Sequence, residues 1–447
     1  MLQIKCPKFF LVIVAVLGVS SSLVANAETV SEENLHMPKW LIVHAGMVLP
    51  VPGKPPRRNA TIVVRDGRIV EIRDGQIDAT QIVTDASSAD VETLQLLDKF
   101  VLPGLMDMHV HLSFEFGVDG QQNHGASEEY AREHRSSMDD VYNFVTAQDN
   151  ARKTLMAGYT TVRNVGSDGW HIFALRDAIN DGNIVGPRIL TSGYTIHAGA
   201  DSGPGACTGV ESCRRAVRAQ IDMGADLIKV YGTCSGSKPC GYETAPAVFL
   251  EDELRAIIET AATRELKVAV HAHGTAAINL VASLGVASIE HGSFNDAESR
   301  RIMKKNSVYL VPTLSVHDNI KKDIVGAKEP MLGIMQNFRD KHGPGMLAAH
   351  KAGVKIASGS DAGVSQHGNN AHELEYYVEY GLTAEEAIVA ATVNAADLIG
   401  MGDELGTLEP GKYADLIAVD ENPLENISAL MDVAVVVKGG QIVKAPK

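Results

Sequence analysis

The sequence predicts an α/β fold: a (β/α)8 TIM barrel with a small composite β-sandwich lobe formed by N- and C-terminal segments. Three observations predict it. From about residue 101, eight short apolar runs alternate with stretches of helical periodicity. That alternation marks a parallel sheet with crossover helices, and eight repeats suit a barrel. The regions before 101 and after about 403 are instead rich in Val, Ile and turn signals, as short antiparallel strands are. Finally, most of the apolar runs end in a residue that can bind a metal or polarise a carbonyl, and barrels gather such groups at the C-terminal ends of their strands.

Taken in order, the chain begins with a targeting pattern. Lys5 and Lys8 precede an apolar run from Phe9 to about Val19, and Ala25-Asn26-Ala27 follows. This reads as a signal peptide over 1–27, cleaved after Ala27, and hence an exported protein, periplasmic or secreted. A membrane anchor is the alternative, but the run is short for a span. Residues 28–100 form the first part of the lobe, with strands at Trp40–Val43, Ala60–Val64, Ile69–Ile72 and Thr93–Leu97.

Residues 101–402 form the barrel. Its strands are Val101–His111, Thr160–Val165, Arg188–Ser192, Leu227–Tyr231, Lys267–His273, Ser288–His291, Val308–Thr313 and Lys355–Ser360. Helices are expected at Phe144–Ala157, His171–Asp181, Glu211–Met223, Glu251–Glu265, Ala276–Leu284, Ala297–Lys305 and Met346–Ala352, with Ala371–Tyr380 and Ala384–Ile399 closing the ring. The polar segment from about 112 to 140 is long for a loop and has the character of a lid. Residues 403–447 complete the lobe with strands at Asp415–Val419 and Val433–Val443, able to pair with the N-terminal strands.

Composition narrows the function. The 447 residues are 45% hydrophobic and 21% charged, a globular balance that excludes a disordered chain. A net charge of −15 repels phosphate backbones, so nucleic acid is not an expected partner. No second apolar run reaches the length of a membrane span, so no stable membrane insertion is expected after signal cleavage. Beyond Cys6, the cysteines are Cys207, Cys213, Cys234 and Cys240, two pairs each six apart. In an exported chain they suggest disulfides, and Cys207–Cys213 with Cys234–Cys240 is the favoured pairing over free buried thiols. Gly232-Thr233-Cys234-Ser235-Gly236 also resembles a nucleophile elbow, which keeps a cysteine hydrolase in view.

The strand ends carry the chemistry. The first ends in His109-Val110-His111, and strand alternation sends both imidazoles to one face. Lys229 lies in the apolar frame Leu227-Ile228-Lys229-Val230-Tyr231, where desolvating an amine is costly. His271 and His273, then His291, then Asp361 end three further strands. Each alone has a structural reading, such as an incidental H-x-H or a lysine in a salt bridge. Together, in order, they point to a metal centre.

These residues lie in segments that resemble the metal-dependent amidohydrolase superfamily, within its imidazolonepropionase-like and Xaa-Pro and Xaa-Arg dipeptidase-like branch. The segments are Val101-Leu102-Pro103-Gly104-Leu105-Met106-Asp107-Met108-His109-Val110-His111-Leu112, Gly158-Tyr159-Thr160-Thr161-Val162-Arg163, Ile228-Lys229, His271-Ala272-His273-Gly274, Ile289-Glu290-His291-Gly292, Gly359-Ser360-Asp361-Ala362-Gly363 and Gly406-Thr407-Leu408-Glu409-Pro410-Gly411-Lys412-Tyr413-Ala414-Asp415-Leu416. The resemblance spans nearly the whole chain after the signal. Its motifs are specific for the superfamily and weaker for substrate. One departure is Asn164 after Arg163, where relatives often have Asp; it bears on the bonding behind the site.

The resemblance implies two divalent metal ions, usually zinc, although these ligands also suit Mn, Co and Fe. His109, His111 and Asp361 would hold one ion, and His271 and His291 the other. Lys229 would bridge them as a CO2-derived carbamate. A metal-bridging hydroxide would attack the carbonyl, with Asp361 as general base and then general acid. His273 and His197 are candidates to hydrogen-bond the carbonyl oxygen or hold substrate. Tyr231 shares the face of Lys229 and is a substrate-binding candidate beside plain packing. His124, His317 and His367 could lie in rim loops near substrate.

The expected reaction is hydrolysis of an amide beside a free carboxylate: a dipeptide, an N-acyl amino acid or an ochratoxin-type amide. Cyclic amides, lactones or esters are the alternative within the enzyme class. A metal-stabilised periplasmic binding protein is the alternative outside it, and such a protein would usually lack Lys229 or Asp361. The partner is a small-molecule substrate, and a homo-oligomer stays open because related barrels often assemble.

Overall fold

Runs of β-branched residues build the strands at both ends of the described chain. In the computed structural model these begin with β1 (Trp40–Val48), β2 (Arg57–Arg65), β3 (Arg68–Asp74) and β4 (Val91–Pro103). The structure describes residues 39–83, 90–114, 137–167, 169–199, 203–233, 242–318, 329 and 331–445. The expected signal peptide, His124, Cys234, Cys240 and most of the expected lid lie outside them.

Strands and helices then alternate. The strands are β5 (Leu105–Val110), β6 (Tyr159–Asn164), β7 (Arg188–Thr191), β8 (His197–Ala198), β9 (Ala206–Cys207), β10 (Leu227–Tyr231), β11 (Lys267–Ala272), β12 (Ser288–His291) and β13 (Tyr309–Val311). Helices Ser137–Met156, His171–Asn180, Val210–Asp222, Glu251–Ala262, Thr275–Ser283, Ala297–Lys305 and Met331–Ala352 fall between and after them. Helices His372–Glu379, Ala384–Ala390 and Val393–Ile399 lead to β14 (Leu416–Val419), β15 (Val433–Lys438) and β16 (Gln441–Lys444). Parallel strands alternating with helices make a TIM-barrel-like α/β fold.

Most expected elements recur within a few residues, and the differences have local causes. The expected run Val101–His111 is two strands, divided at Gly104. There β4, which pairs in parallel with β1 and antiparallel with β14, ends and β5 begins pairing with β6. A Cβ on Gly104 would collide with the Thr160 side chain, so the crossing needs glycine. The helix expected from Met346 starts at Met331 and contains Pro344, the residue that ends its periodicity in the sequence. The expected helix Ala384–Ile399 breaks at Thr392, whose φ of −134° is not helical. The expected strand Lys355–Ser360 reduces to a bridge from Ile356 to Leu310. Its backbone still bonds on both sides, through Leu310 N to Lys355 O at 3.0 Å and Met108 N to Ser358 O at 2.8 Å.

Seven strands form one sheet in the order β16-β15-β14-β4-β1-β2-β3. The antiparallel pairing of β14 with β4, from Leu416↔Pro103 to Val419↔Phe100, ties the C-terminal strands to the N-terminal ones. Leu41, Val43, Ile62, Val64, Leu94, Leu416 and Val435 pack together on its buried side. The parallel strands form the sets β5-β6-β7 and β10-β11-β12-β13. Cys207 and Cys213 are joined by a disulfide that ties β9 to helix Val210–Asp222.

Candidate metal centre

The ends of β5, β10, β11 and β12, with the turn after Ile356, bring six predicted residues together. His109 is on β5 and His111 one residue beyond it, Lys229 is on β10, His271 on β11 and His291 on β12. All of these and Asp361 are buried. The His109 and His291 rings lie 5.1 Å apart and the His271 and His291 rings 4.4 Å apart. His109 Nε2 and His111 Nε2 each lie 3.4 Å from Asp361 Oδ1. Donors about 2.0–2.1 Å from a tetrahedral ion stand roughly 3.4 Å apart, so this spacing suits one shared cation.

Among the described residues, two groupings meet the distances that a metal needs: His109 with His291 and Asp361, and His271 with His273 and His291. His291 Nδ1 is engaged with Thr313 Oγ1 at 2.7 Å, which leaves Nε2 as its one free donor. It can therefore serve only one ion at a time. His273 Nδ1 lies 2.9 Å from Ser293 Oγ, and its ring stacks on His291 at 4.8 Å.

Electrostatics keeps the imidazoles neutral here. Burial, then the positive Lys229, holds the His109 imidazole well below its usual range and brings that of His111 to about 3. Burial, then neighbouring His271, does the same for His273 and His291. Neutral imidazoles are the form that binds metal. Burial lowers the Lys229 amine to about 8. Its Nζ has no hydrogen-bond partner among the described residues, and neither does Asp361 Oδ1. Burial raises the Asp361 carboxyl to about 7 against the pull of Lys229. An unpartnered buried amine beside an unpartnered carboxylate oxygen is costly unless something completes both.

The backbone stores strain at the same place. His291, Thr313 and Asp361 have φ of +69°, +57° and +52°. Non-glycine residues rarely adopt this region, and such outliers gather at functional sites. Gly359 lets the turn approach β5: an added Cβ would stand 2.8 Å from His109 Cβ and collide with Val311. Gly359→Ala is therefore expected to push Asp361 away from His109, costing about 1–3 kcal/mol in stability and lowering metal occupancy. Thermal unfolding with metal analysis of the same sample checks it.

Several residues around the ligands escaped the sequence reading. Asp107, fully buried, accepts from His109 N and Ser360 N at 3.0 Å and from Asn370 Nδ2 at 2.7 Å. It thus ties β5 to the turn bearing Asp361. Glu290 Oε2 lies 2.7 Å from His109 Nδ1, and Glu290 Oε1 accepts from Arg163 Nη2 at 2.8 Å. Burial opposes the Glu290 charge, but Arg163 and His109 prevail and lower its pKa. Glu373 accepts from Leu314 N and Ser315 N at 2.8 and 2.7 Å, fixing the turn after Thr313. Asp107, Arg163 and Glu290 all sit inside the quoted motifs, so motif membership was the available signal. Glu373 carried none.

The departure at Asn164 is accommodated. Its Oδ1 accepts from Leu112 N at 2.8 Å, and its Nδ2 donates to Ser167 Oγ at 2.9 Å. The amide therefore serves a donor and an acceptor at once.

The candidate substrate residues divide. Tyr231 is half-buried, its ring 5.5 Å from that of His271 and 5.9 Å from Lys229 Nζ. His197, also half-buried, is carried beside β10 by the Ile196–Val230 bridge. His317 and His367 are corrections to the expectation of rim positions: both are buried. His317 pairs with His342 at 3.2 Å, and His342 in turn bonds the His291 carbonyl at 3.1 Å. His367 bonds the His111 carbonyl at 3.2 Å. A surface cleft of about 440 Å3 includes none of the six residues, and its Arg176 is already paired with Asp226.

A TIM-barrel-like fold with histidines, a lysine and an aspartate converging at its strand ends defines a metal-binding hydrolase of the amidohydrolase type. Residues 100–443 match the model of the amidohydrolase family, and the chain belongs to that family. It is 33% identical to the ochratoxinase of Aspergillus niger, over 91% of this chain and 87% of that protein. Among solved structures, it is similar to a Xaa-Pro dipeptidase with methionine bound in the active site. The two share 33% identity with a TM-score of 0.79, over 91% of this chain and all of the other. The crystal structure of the A. niger ochratoxinase superposes with a TM-score of 0.76 at 30% identity, over 92% and 96% of the two chains. The chain is a hydrolase acting on amide bonds.

Proposed function

We propose that this protein is an exported, binuclear metal-dependent amidohydrolase that cleaves an amide next to a free carboxylate, in a dipeptide or an N-acyl amino acid. One observation carries the reading. His109 with His291 and Asp361, and His271 with His273 and His291, form buried groups within ligand reach of one another, and the buried Lys229 amine on β10 has no hydrogen-bond partner among the described residues. In this reading His109, His111 and Asp361 would hold one ion and His271 and His291 the other, and the Lys229 amine would take up CO2 and release a proton to give an anionic carbamate that serves as a further ligand. Bound divalent ions, most simply zinc, supply an activated water and a polarised carbonyl.

The protein's own groups supply the rest. Asp361 takes the proton of the attacking water and returns it to the leaving amine. His273 and His197 hold the carbonyl oxygen or the substrate, and Tyr231 lines the same face. The Xaa-Pro dipeptidase and the ochratoxinase among the similar proteins support an amide beside a carboxylate, and an ochratoxin-type amide meets that description. The Cys207–Cys213 disulfide supports export to an oxidising compartment. In the same reading, residues 101–402 form a barrel closed by the 355–360 run, and the strands at both ends form one composite lobe.

The test is amino-acid release from pooled dipeptides and N-acyl amino acids, with protein loaded with zinc and bicarbonate. Release from a subset is expected, lost on chelation, restored by zinc and insensitive to thiol alkylation. Two bound ions with no release from any pool would favour cyclic amides, lactones or esters instead. Loss of release on alkylation would favour the cysteine nucleophile.

A further inference from the structure

We infer that Glu290, clamped by Arg163, is a positioning residue that fixes one tautomer of His109 and thereby sets the affinity of the ion held by His109, His111 and Asp361. The inference rests on the reading of those residues as ligands. It concerns a carboxylate outside both candidate metal groups.

The geometry leaves little freedom. Glu290 is fully buried on β12. One of its oxygens accepts from Arg163 Nη2 at 2.8 Å and from Ser288 Oγ at 2.5 Å. The other faces His109 Nδ1 at 2.7 Å. A guanidinium does not lose its proton in a protein, so it keeps the carboxylate charged and therefore acceptor-only. His109 Nδ1 must then carry the hydrogen, and the Nε2 lone pair turns to Asp361 Oδ1, 3.4 Å away. Arg163 is itself anchored, its Nε donating to Met108 O at 2.6 Å beside His109 and its Nη1 to Ser288 Oγ at 3.0 Å. One buried ion pair thus ties β5, β6 and β12 together behind a single ligand.

His111 and His291 differ. His111 Nδ1 faces the neutral Gly166 carbonyl at 3.1 Å, and His291 Nδ1 faces the Thr313 hydroxyl. A charged partner raises the basicity of a histidine ligand and locks its ring more firmly than a neutral one. Two histidines in this centre thus have neutral partners, whereas His109 has an ionic one.

The test is Glu290→Gln in the full chain, loaded with Zn2+ or Co2+. An amide cannot hold the tautomer by charge, and its NH2 can turn towards Nδ1. The expected result is a 10–100-fold weaker affinity for one of the two ions by chelator competition, with the other ion unchanged. The Co2+ absorption of the weakened site should change as well. Wild-type affinity for both ions would overturn the inference. Equal weakening of both, with a lower unfolding temperature of the metal-free protein, would overturn it in favour of a purely structural role. A wild-type protein that binds fewer than two ions would instead refute the underlying reading. If Glu290→Gln does not fold, Arg163→Lys carries the test. It keeps the charge but loses the forked donors, so the same single-site weakening is expected, and its absence would count against the inference.

Discussion

Asp361→Asn is expected to lower kcat/KM for any amide the protein cleaves by at least about 100-fold while the chain still folds. Asp361 N donates to His109 O at 2.8 Å, and that backbone bond survives the substitution. What changes is Oδ1, which stands 3.4 Å from two imidazole nitrogens. An amide is a poorer ligand for a divalent ion and cannot take a proton from water. Circular dichroism should match the wild type, and metal analysis should show loss of the ion shared with His109 and His111. Full activity in Asp361→Asn would remove Asp361 from both roles.

Lys229→Ala is expected to be the second severe lesion, and to be repairable. Lys229 reaches the centre from β10 with its amine buried and without a hydrogen-bond partner among the described residues. As a carbamate it would offer two oxygens sharing one negative charge, whereas a protonated amine would repel a bound cation. Removing it leaves room for a small carboxylate. Activity and metal retention should fall together, and a short carboxylic acid should restore part of both. Two ions at wild-type affinity with an unchanged rate would show that Lys229 bridges nothing. Bicarbonate dependence of metal loading in the wild type is the matching positive control.

The site was more legible than the frame around it. His109, His111, Lys229, His271, His291 and Asp361 stood out because polar residues ending apolar strands are expensive to bury without a purpose. The strand alternation was equally plain, because a buried parallel strand reads as a continuous apolar run. Boundaries blurred wherever long-range bonding overrode local pattern. The division at Gly104 follows from how closely Thr160 approaches. The helix from Met331 runs through a proline that local reasoning takes as a stop. His317 and His367 could have lain in rim loops as far as the sequence shows, since a lone histidine carries no periodicity that reveals burial. The structure puts them behind His291 and His111.

The sequence by itself determined the class of fold, the order of the strands and the identity of the converging residues. These are written in local periodicity and in polar residue types placed at the ends of apolar runs. Only the tertiary structure decided which groups hold the candidate ligands in place. The partnership of Glu290 with Arg163 and His109 joins residues 127 and 181 positions apart. Asp107 meets Ser360 across 253 positions. No local pattern encodes such pairs. They exist because burial strips water from charged groups and leaves each to find its partner across the core.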